Sequence, residues 1–198
     1  MTRVRSGITV SVDGFAAGPN QSLARPFGDG PGDRLHRWMF ERAGDNRAEI
    51  QALTAAGAYV MGRNMFGPGR GRWDLAWKGW WGADPPYHAP VFVLTHHGRA
   101  PLRMEGGTTF TFVTGGIERA LELAEAAAGG RDVAIAGGPS TINQYLAAGL
   151  VDELWLHVAP FTIGAGARLF EGVGPLTLEP VEARGTDLVT HVRYRVVR

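Results

Sequence analysis

Three places in this sequence set an apolar run against glycine or a cluster of polar donors, and each could hold a phosphate. The first is Val133-Ala-Ile-Ala-Gly-Gly-Pro-Ser-Thr-Ile142, where a buried-strand pattern meets two glycines and a helix begins at once. Glycine lets a ligand approach the backbone closely. The first turn of a helix offers unpaired N–H groups at the positive end of its dipole. A pyrophosphate suits such a turn, and so does a tight strand-to-helix connection that binds nothing. The second is Tyr59-Val-Met-Gly-Arg-Asn-Met-Phe66, in which Gly62 closes an apolar run and Arg63 could clamp a phosphate bidentately. A solvated or carboxylate-paired arginine fits the same residues. The third is Phe92-Val-Leu-Thr-His-His97, where a hydroxyl and two imidazoles leave the carboxyl end of a strand together. Ligands collect outside that end in open α/β sheets, although adjacent loop histidines are also commonly solvated.

Together these strand ends favour a dinucleotide more than any one does. The fingerprints of other chemistries are missing from the sequence. No G-x-G-x-x-G follows the first strand pattern and no G-x-x-x-x-G-K-[ST] occurs. The six histidines are scattered without an H-E-x-x-H, so no metal is expected. Neither Ser6 nor Ser140 sits in a G-x-S-x-G elbow.

The elements that must position these groups alternate. Strand patterns cover residues 5–12, 58–61, 91–95, 108–113, 132–136 and 153–159. Helical patterns cover about 33–42, from Asn46 to Gly57, 116–128 and 140–148. Asn46 with Glu49 three residues on reads as an approximate capping box. Residues 18–32 read as a loop. Residues 67–90 form a long Gly/Pro/Trp-rich excursion holding Trp73, Trp77, Trp80 and Trp81. The tail, 176–183 and 188–197, reads as an antiparallel hairpin with Val192, Tyr194 and Val196 buried and His191, Arg193 and Arg195 wet. The expected fold is a single α/β domain over 1–198, with a mainly parallel sheet and an antiparallel edge.

Composition bounds the function. A chain of 198 residues with 44% hydrophobic content matches one soluble domain. A net charge of +1 argues against wholesale nucleic-acid binding. There is no cysteine, and Lys78 is the single lysine, in no context for a P-loop or a Schiff base. No apolar run reaches membrane-spanning length, and the first residues, MTRVRSGITVSV, lack a signal-peptide core. The expected partner is a small molecule, with neither nucleic acid nor membrane, in the cytoplasm.

Six segments in order resemble the dihydrofolate reductase family, and within it the branch holding the reductase half of the riboflavin deaminase–reductase. They are Ser11-Val-Asp-Gly14 with Ala17-Gly18, Met61-Gly-Arg-Asn-Met65, Leu94-Thr95, Ala136-Gly-Gly-Pro139, Gly149-Leu-Val-Asp-Glu-Leu154 and Pro160-Phe-Thr-Ile-Gly-Ala-Gly-Ala-Arg-Leu-Phe170. The resemblance runs through nearly the whole chain. It implies a dihydrofolate reductase-like three-layer α/β/α fold and an NADPH cofactor lying across the sheet. It implies further that Thr9, Ser11, Ala17 and Gly18 face the nicotinamide. Gly62, Arg63 and Asn64 would form a phosphate turn, Thr95 and His96 would hold the 2′-phosphate, and Gly137, Gly138, Ser140 and Thr141 would hold the pyrophosphate. The reaction implied is reduction of a flat heterocycle or of a carbonyl or imine. One departure stands out: Ala136 occupies the place where the riboflavin reductases carry a substrate-contacting glutamate.

Three further candidates remain open. Asp13 is a possible acid beside the nicotinamide, or a turn residue bonding its own backbone. His157 faces the pocket or a dimer contact, or is a satisfied core or interface histidine. The four tryptophans form an aromatic lid or bury a dimer surface, and a homodimer using both is expected, since a monomer seldom exposes that much apolar area. Ala136 also keeps open a non-catalytic NADP-, flavin- or antifolate-binding protein using the same cleft.

Overall fold

The structure is a computed structural model and describes residues 2–197. Six parallel strands make its centre because their sequences are short, apolar and β-branched. They are β1 (Val4–Ser11), β3 (Ala58–Gly62), β4 (Pro90–Leu94), β6 (Thr109–Val113), β7 (Val133–Gly137) and β8 (Glu153–Ala159). A parallel sheet covered on both faces demands apolar residues on both. In β3 all five residues are buried. Val60 faces one core with Ile135, Leu121 and Tyr145, while Tyr59 and Met61 face another with Phe66 and Phe110.

The hairpin of β10 (Thr177–Gly185) and β11 (Thr190–Val197) joins antiparallel to β8. A short β5 (Leu102–Arg103) closes the other edge, also antiparallel. The sheet order is β10-β11-β8-β1-β7-β3-β4-β6-β5. A separate pair of β2 (Phe15–Ala17) and β9 (Ala167–Arg168) ties the loop after β1 to the segment after β8.

Helices α4 (Gly116–Ala127) and α5 (Pro139–Ala147) cover the first core. The opposite face carries α1 (Arg37–Phe40), α2 (Arg47–Leu53), α3 (Arg63–Phe66) and the tryptophan excursion. This is the three-layer α/β/α arrangement with a mixed, mostly parallel sheet. No helix among the described residues is long and apolar enough to cross a membrane.

Three local expectations need correction. The helix read over 33–42 is a 3₁₀ turn, Gly32–His36, followed by the single turn of α1. Asn46 precedes α2 but does not cap it with its side chain, and Glu49 does not reach back to it. Instead the Asn46 amide is fully buried and bonds the Trp38 and Arg42 carbonyls, while Glu49 pairs with Arg184 at 2.7 Å. On β11, His191 lies on the face read as wet yet is buried, because α1 and Asn46 cover that end of the strand.

Candidate active site

A cleft of about 950 Å³ opens at the carboxyl ends of the parallel strands and continues down one sheet face. That is the upper end of the size range of small-molecule sites. Its residues divide into two halves. The upper half holds the strand-end turns. The lower half lies between α1, α2 and the excursion.

The upper half is built by glycine. Gly138 precedes the first turn of α5, with Pro139 at the first helical position and no side chain capping the helix. A methyl group placed on Gly138 would meet no atom within 4 Å, so its backbone faces open space. Gly137 has a φ of 125°, a region that disfavours any side chain. Gly62 is different: a methyl group there would stand 2.2 Å from the Thr141 hydroxyl oxygen. The β3 and β7 turns therefore touch with no spare room. Ser140 and Thr141 begin α5 and line the cleft, as do Asn64, Thr95 and His96.

Arg63 borders the cleft and also holds the excursion. Its guanidinium lies 4.0 Å over the Trp73 ring and donates to the Gly71 carbonyl at 2.6 Å. Its Nε has no hydrogen-bond partner among the described residues. Thr95 uses its hydroxyl locally, accepting from the His97 N–H at 3.1 Å, whereas His96 is exposed.

These residues fit a dinucleotide. The backbone at Gly138 is open, the nine-residue helix behind it is uncapped, and the cleft is lined by three arginines and four histidines with no aspartate or glutamate. An anion entering meets no like charge.

Of the residues expected near the nicotinamide, Thr9 and Ala17 line the cleft, whereas Ser11, Asp13 and Gly18 do not. The Asp13 carboxylate is spent on structure. It accepts from the Ser11 hydroxyl at 2.5 Å, from the Ile163 N–H at 3.1 Å and from the Gly164 N–H at 2.7 Å. These bonds, the Ser11 hydroxyl foremost, hold it below the usual carboxylate range. Asp13 thus clasps the loop after β1 to the loop after β8 and stands outside the residues that line the cleft. Gly18 packs so tightly on Asp29 that a methyl group would stand 1.9 Å from the Asp29 carbonyl oxygen.

The lower half contains residues that motif reading did not join. Arg5 and Thr9 come from β1, His36 and Met39 from the 3₁₀ turn and α1, and His157 from β8. Trp80, Trp81 and Tyr87 supply the aromatic wall. The four tryptophans do not form one exposed patch. Trp73 packs edge-on against Phe66 and Phe112, and Trp81 stacks on Phe110 at 5.7 Å. Trp77 donates to the Phe66 carbonyl at 2.8 Å. Arg99 stitches the excursion down through the carbonyls of Leu75 and Trp77 at 2.9 and 2.7 Å. Exposed indole area therefore no longer demands a partner subunit. Ala136 lines the junction of the halves.

Two imidazoles face this half, His157 buried and His36 half-buried. Burial pushes His36 down to about 4. Burial, with His191 beside it, pushes His157 down to about 3. An unfolded histidine titrates near 6.5. The folded values lie below that, so as pH falls the unfolded chain takes up protons first. Stability is full above about pH 6.5 and is lost progressively as pH falls from about 6.5 towards 4. We expect urea midpoints to drop over that window, with His157 contributing up to ~1.4 kcal/mol per pH unit. The His157→Phe variant should show a shallower drop. A wild-type midpoint unchanged between pH 7 and 4.5 would contradict this.

The RibD C-terminal domain family matches residues 2–190. Among curated proteins there is no significant match. Solved structures of similar fold include a protein described as a riboflavin biosynthesis protein from Shewanella sp. PV-4, at 22% identity and a TM-score of 0.68, with all of both chains covered. A pyrimidine reductase-like protein from Corynebacterium diphtheriae aligns at 18% identity and a TM-score of 0.59, over 100% of this chain and 92% of that one. Acinetobacter baumannii RibD aligns at 18% identity and a TM-score of 0.61, and there this chain spans 59% of the longer protein. The sheet order, the glycine turns beside the cleft and a match over nearly its whole length agree: this chain belongs to the RibD C-terminal domain family.

Proposed function

We propose that the chain is an NADPH-dependent reductase of a small flat heterocycle, or of a carbonyl or imine of similar shape. The observation that carries this reading is the two-part cleft, free of carboxylates, with glycine turns at one end and an aromatic wall at the other. It has room for a cofactor and a flat partner side by side. The relatives named for riboflavin biosynthesis and pyrimidine reduction support the same reading. NADPH, when bound, supplies the hydride. The protein's part is to bind phosphates along Gly62, Arg63, Gly138, Ser140 and Thr141, and to exclude water with the tryptophan wall.

Arg63 and His96 stand on the upper rim beside Thr95 with no acid among the lining residues, which favours a 2′-phosphate over a free hydroxyl. Fluorescence titration should therefore give an affinity for NADPH at least about tenfold above that for NADH, roughly 1.4 kcal/mol. Oxidation of bound NADPH by a pterin or pyrimidine tests the activity. Equal dissociation constants for the two nucleotides would remove the 2′-phosphate site. Tight NADPH binding without turnover of any heterocycle would favour a binding protein over an enzyme.

A further inference from the structure

The lower half of the cleft runs along β1 and β7 over a floor of small residues, Gly7, Ala134 and Ala136. Its walls are Met39 and Leu53 from the helices and Trp81, Pro86 and Tyr87 from the excursion. Arg5 stands at the end remote from the phosphate turns. It lies near the start of β1, four residues before Thr9, or about 13 Å along an extended strand.

Arg5 is 7% exposed. Its guanidinium lies 4.6 Å over the Trp155 ring, which covers one face of the plane and leaves the N–H edge free. Its Nε is sealed from solvent without a partner. Its two terminal nitrogens are not sealed, and neither has a hydrogen bond or ion pair among the described residues. Asp132 and Glu153 act on Arg5 only at longer range, because both are engaged elsewhere. Asp132 accepts the Arg3 N–H at 3.2 Å, while Glu153 pairs with the Arg3 side chain at 2.7 Å and accepts the Trp155 indole N–H at 3.1 Å.

Tyr87 repeats the pattern. It is 8% exposed, and its ring packs 4.8 Å from that of Tyr59. The Tyr59 hydroxyl accepts the Ala56 N–H at 2.9 Å, but the Tyr87 hydroxyl has no hydrogen bond among the described residues. Burial raises its proton affinity, so it remains a donor. Tyr59 joins the two residues: it pairs with Ala134, which pairs with Arg5, in one row across β3, β7 and β1. A buried cation without a bonded anion is costly, and a ligand oxyanion would offset that cost.

We propose that Arg5 and Tyr87 form a carboxylate receptor at the inner end of the cleft, and that the ligand is a carboxylic acid with a flat apolar body. The Arg5 terminal nitrogens and the Tyr87 hydroxyl donate to the carboxylate oxygens, and the body lies on the small-residue floor between the walls. One guanidinium matches one negative charge, and the nearby Asp132 and Glu153 disfavour a dianion, which sets a carboxylate apart from a phosphate monoester. This rests on the reading of the cleft as a substrate site, and adds what the substrate carries at the end away from the cofactor.

The test uses 4-phenylbutyrate, its amide and 3-phenylpropyl phosphate as probes, titrated by calorimetry with and without NADPH. Wild-type protein should bind the acid at least about tenfold more tightly than the amide, the scale of hydrogen bonds to a charged group. Arg5→Met, which keeps an unbranched stem beside Trp155, should lose that preference with NADPH affinity unchanged. Tyr87→Phe, which removes only the hydroxyl, should reduce it by about threefold or more. A crystal structure of the wild-type protein with 4-phenylbutyrate needs no variant: the carboxylate should lie within hydrogen-bond distance of Arg5 and Tyr87. Equal binding of acid and amide, a preference that survives in folded Arg5→Met, or a carboxylate seated away from Arg5 would each overturn the receptor. An undiminished preference in Tyr87→Phe would remove the hydroxyl from it. Tighter binding of the phosphate than of the acid would overturn the choice of a carboxylate, and failure of the acid to bind would overturn the ligand class. Absence of NADPH binding is a separate result: it sinks the cofactor reading, while the comparison of acid and amide still decides Arg5.

Discussion

Replacing Gly138 by Val should cost at least two orders of magnitude in NADPH affinity, about 2.7 kcal/mol, and leave the fold standing. The backbone there is extended, with φ −70° and ψ −175°, which a β-branched residue adopts readily. Apart from its chain neighbours, no atom lies within 4 Å of where a Cβ would stand. The new methyl groups would project into the cleft above the uncapped start of α5, where phosphate oxygens must approach. Gly62→Val makes the contrast. Its side chain would run into the Thr141 hydroxyl at 2.2 Å, so that variant should lose stability as well as binding. Fluorescence titration beside a thermal melt separates the two outcomes. A folded Gly138→Val protein with wild-type NADPH affinity would show that the phosphates lie elsewhere.

The largest expected loss of stability comes from Trp38→Ala. Trp38 is fully buried, its ring lies 4.8 Å from His157 and 5.0 Å from His191, and its N–H bonds Thr9. Removing a buried indole leaves a cavity that costs about 3–5 kcal/mol. In a domain of this size that corresponds to a melting temperature lower by about 10 °C. Trp38→Phe keeps most of the packing and gives up the N–H, so it should lose much less stability. A loss below ~1 kcal/mol for Trp38→Ala in urea unfolding would mean that the helical layer over β1 and β8 is not anchored there.

Much of the fold was legible because its signals are local. The six central strands and the helices α4 and α5 stand within a residue or two of where apolar runs and glycine stops put them. Gly129 and Gly130 end α4 with positive φ values, a conformation glycine alone takes cheaply. What escaped depends on residues far apart in the chain. Asp13 reads as an acid or as a turn residue until its partners, Ile163 and Gly164, are seen 150 and 151 residues away. His157 reads as a pocket, interface or core histidine until His191 and Asn46 are seen beside it in one hydrogen-bonded row. The tryptophans suggested an exposed patch because nothing in a linear pattern tells that Phe66, Phe110 and Phe112 wait beneath them. Spacing showed where phosphate could sit. It was silent on the face of the sheet below, which is assembled from four separate segments.

The contact between Gly62 and Thr141 has a consequence for the cost of binding. With no room for a methyl group between them, the turn after β3 packs directly on the start of α5. If the proposed nucleotide settles there, turns already packed on each other would lose little further chain entropy. The wall across the cleft is hung differently, from side-chain donors on backbone carbonyls: Arg63 on Gly71, and Arg99 on Leu75 and Trp77. Such tethers can be exchanged for water one at a time. On the proposed reading, the closely packed turns would hold one ligand and the tethered wall would meet the other.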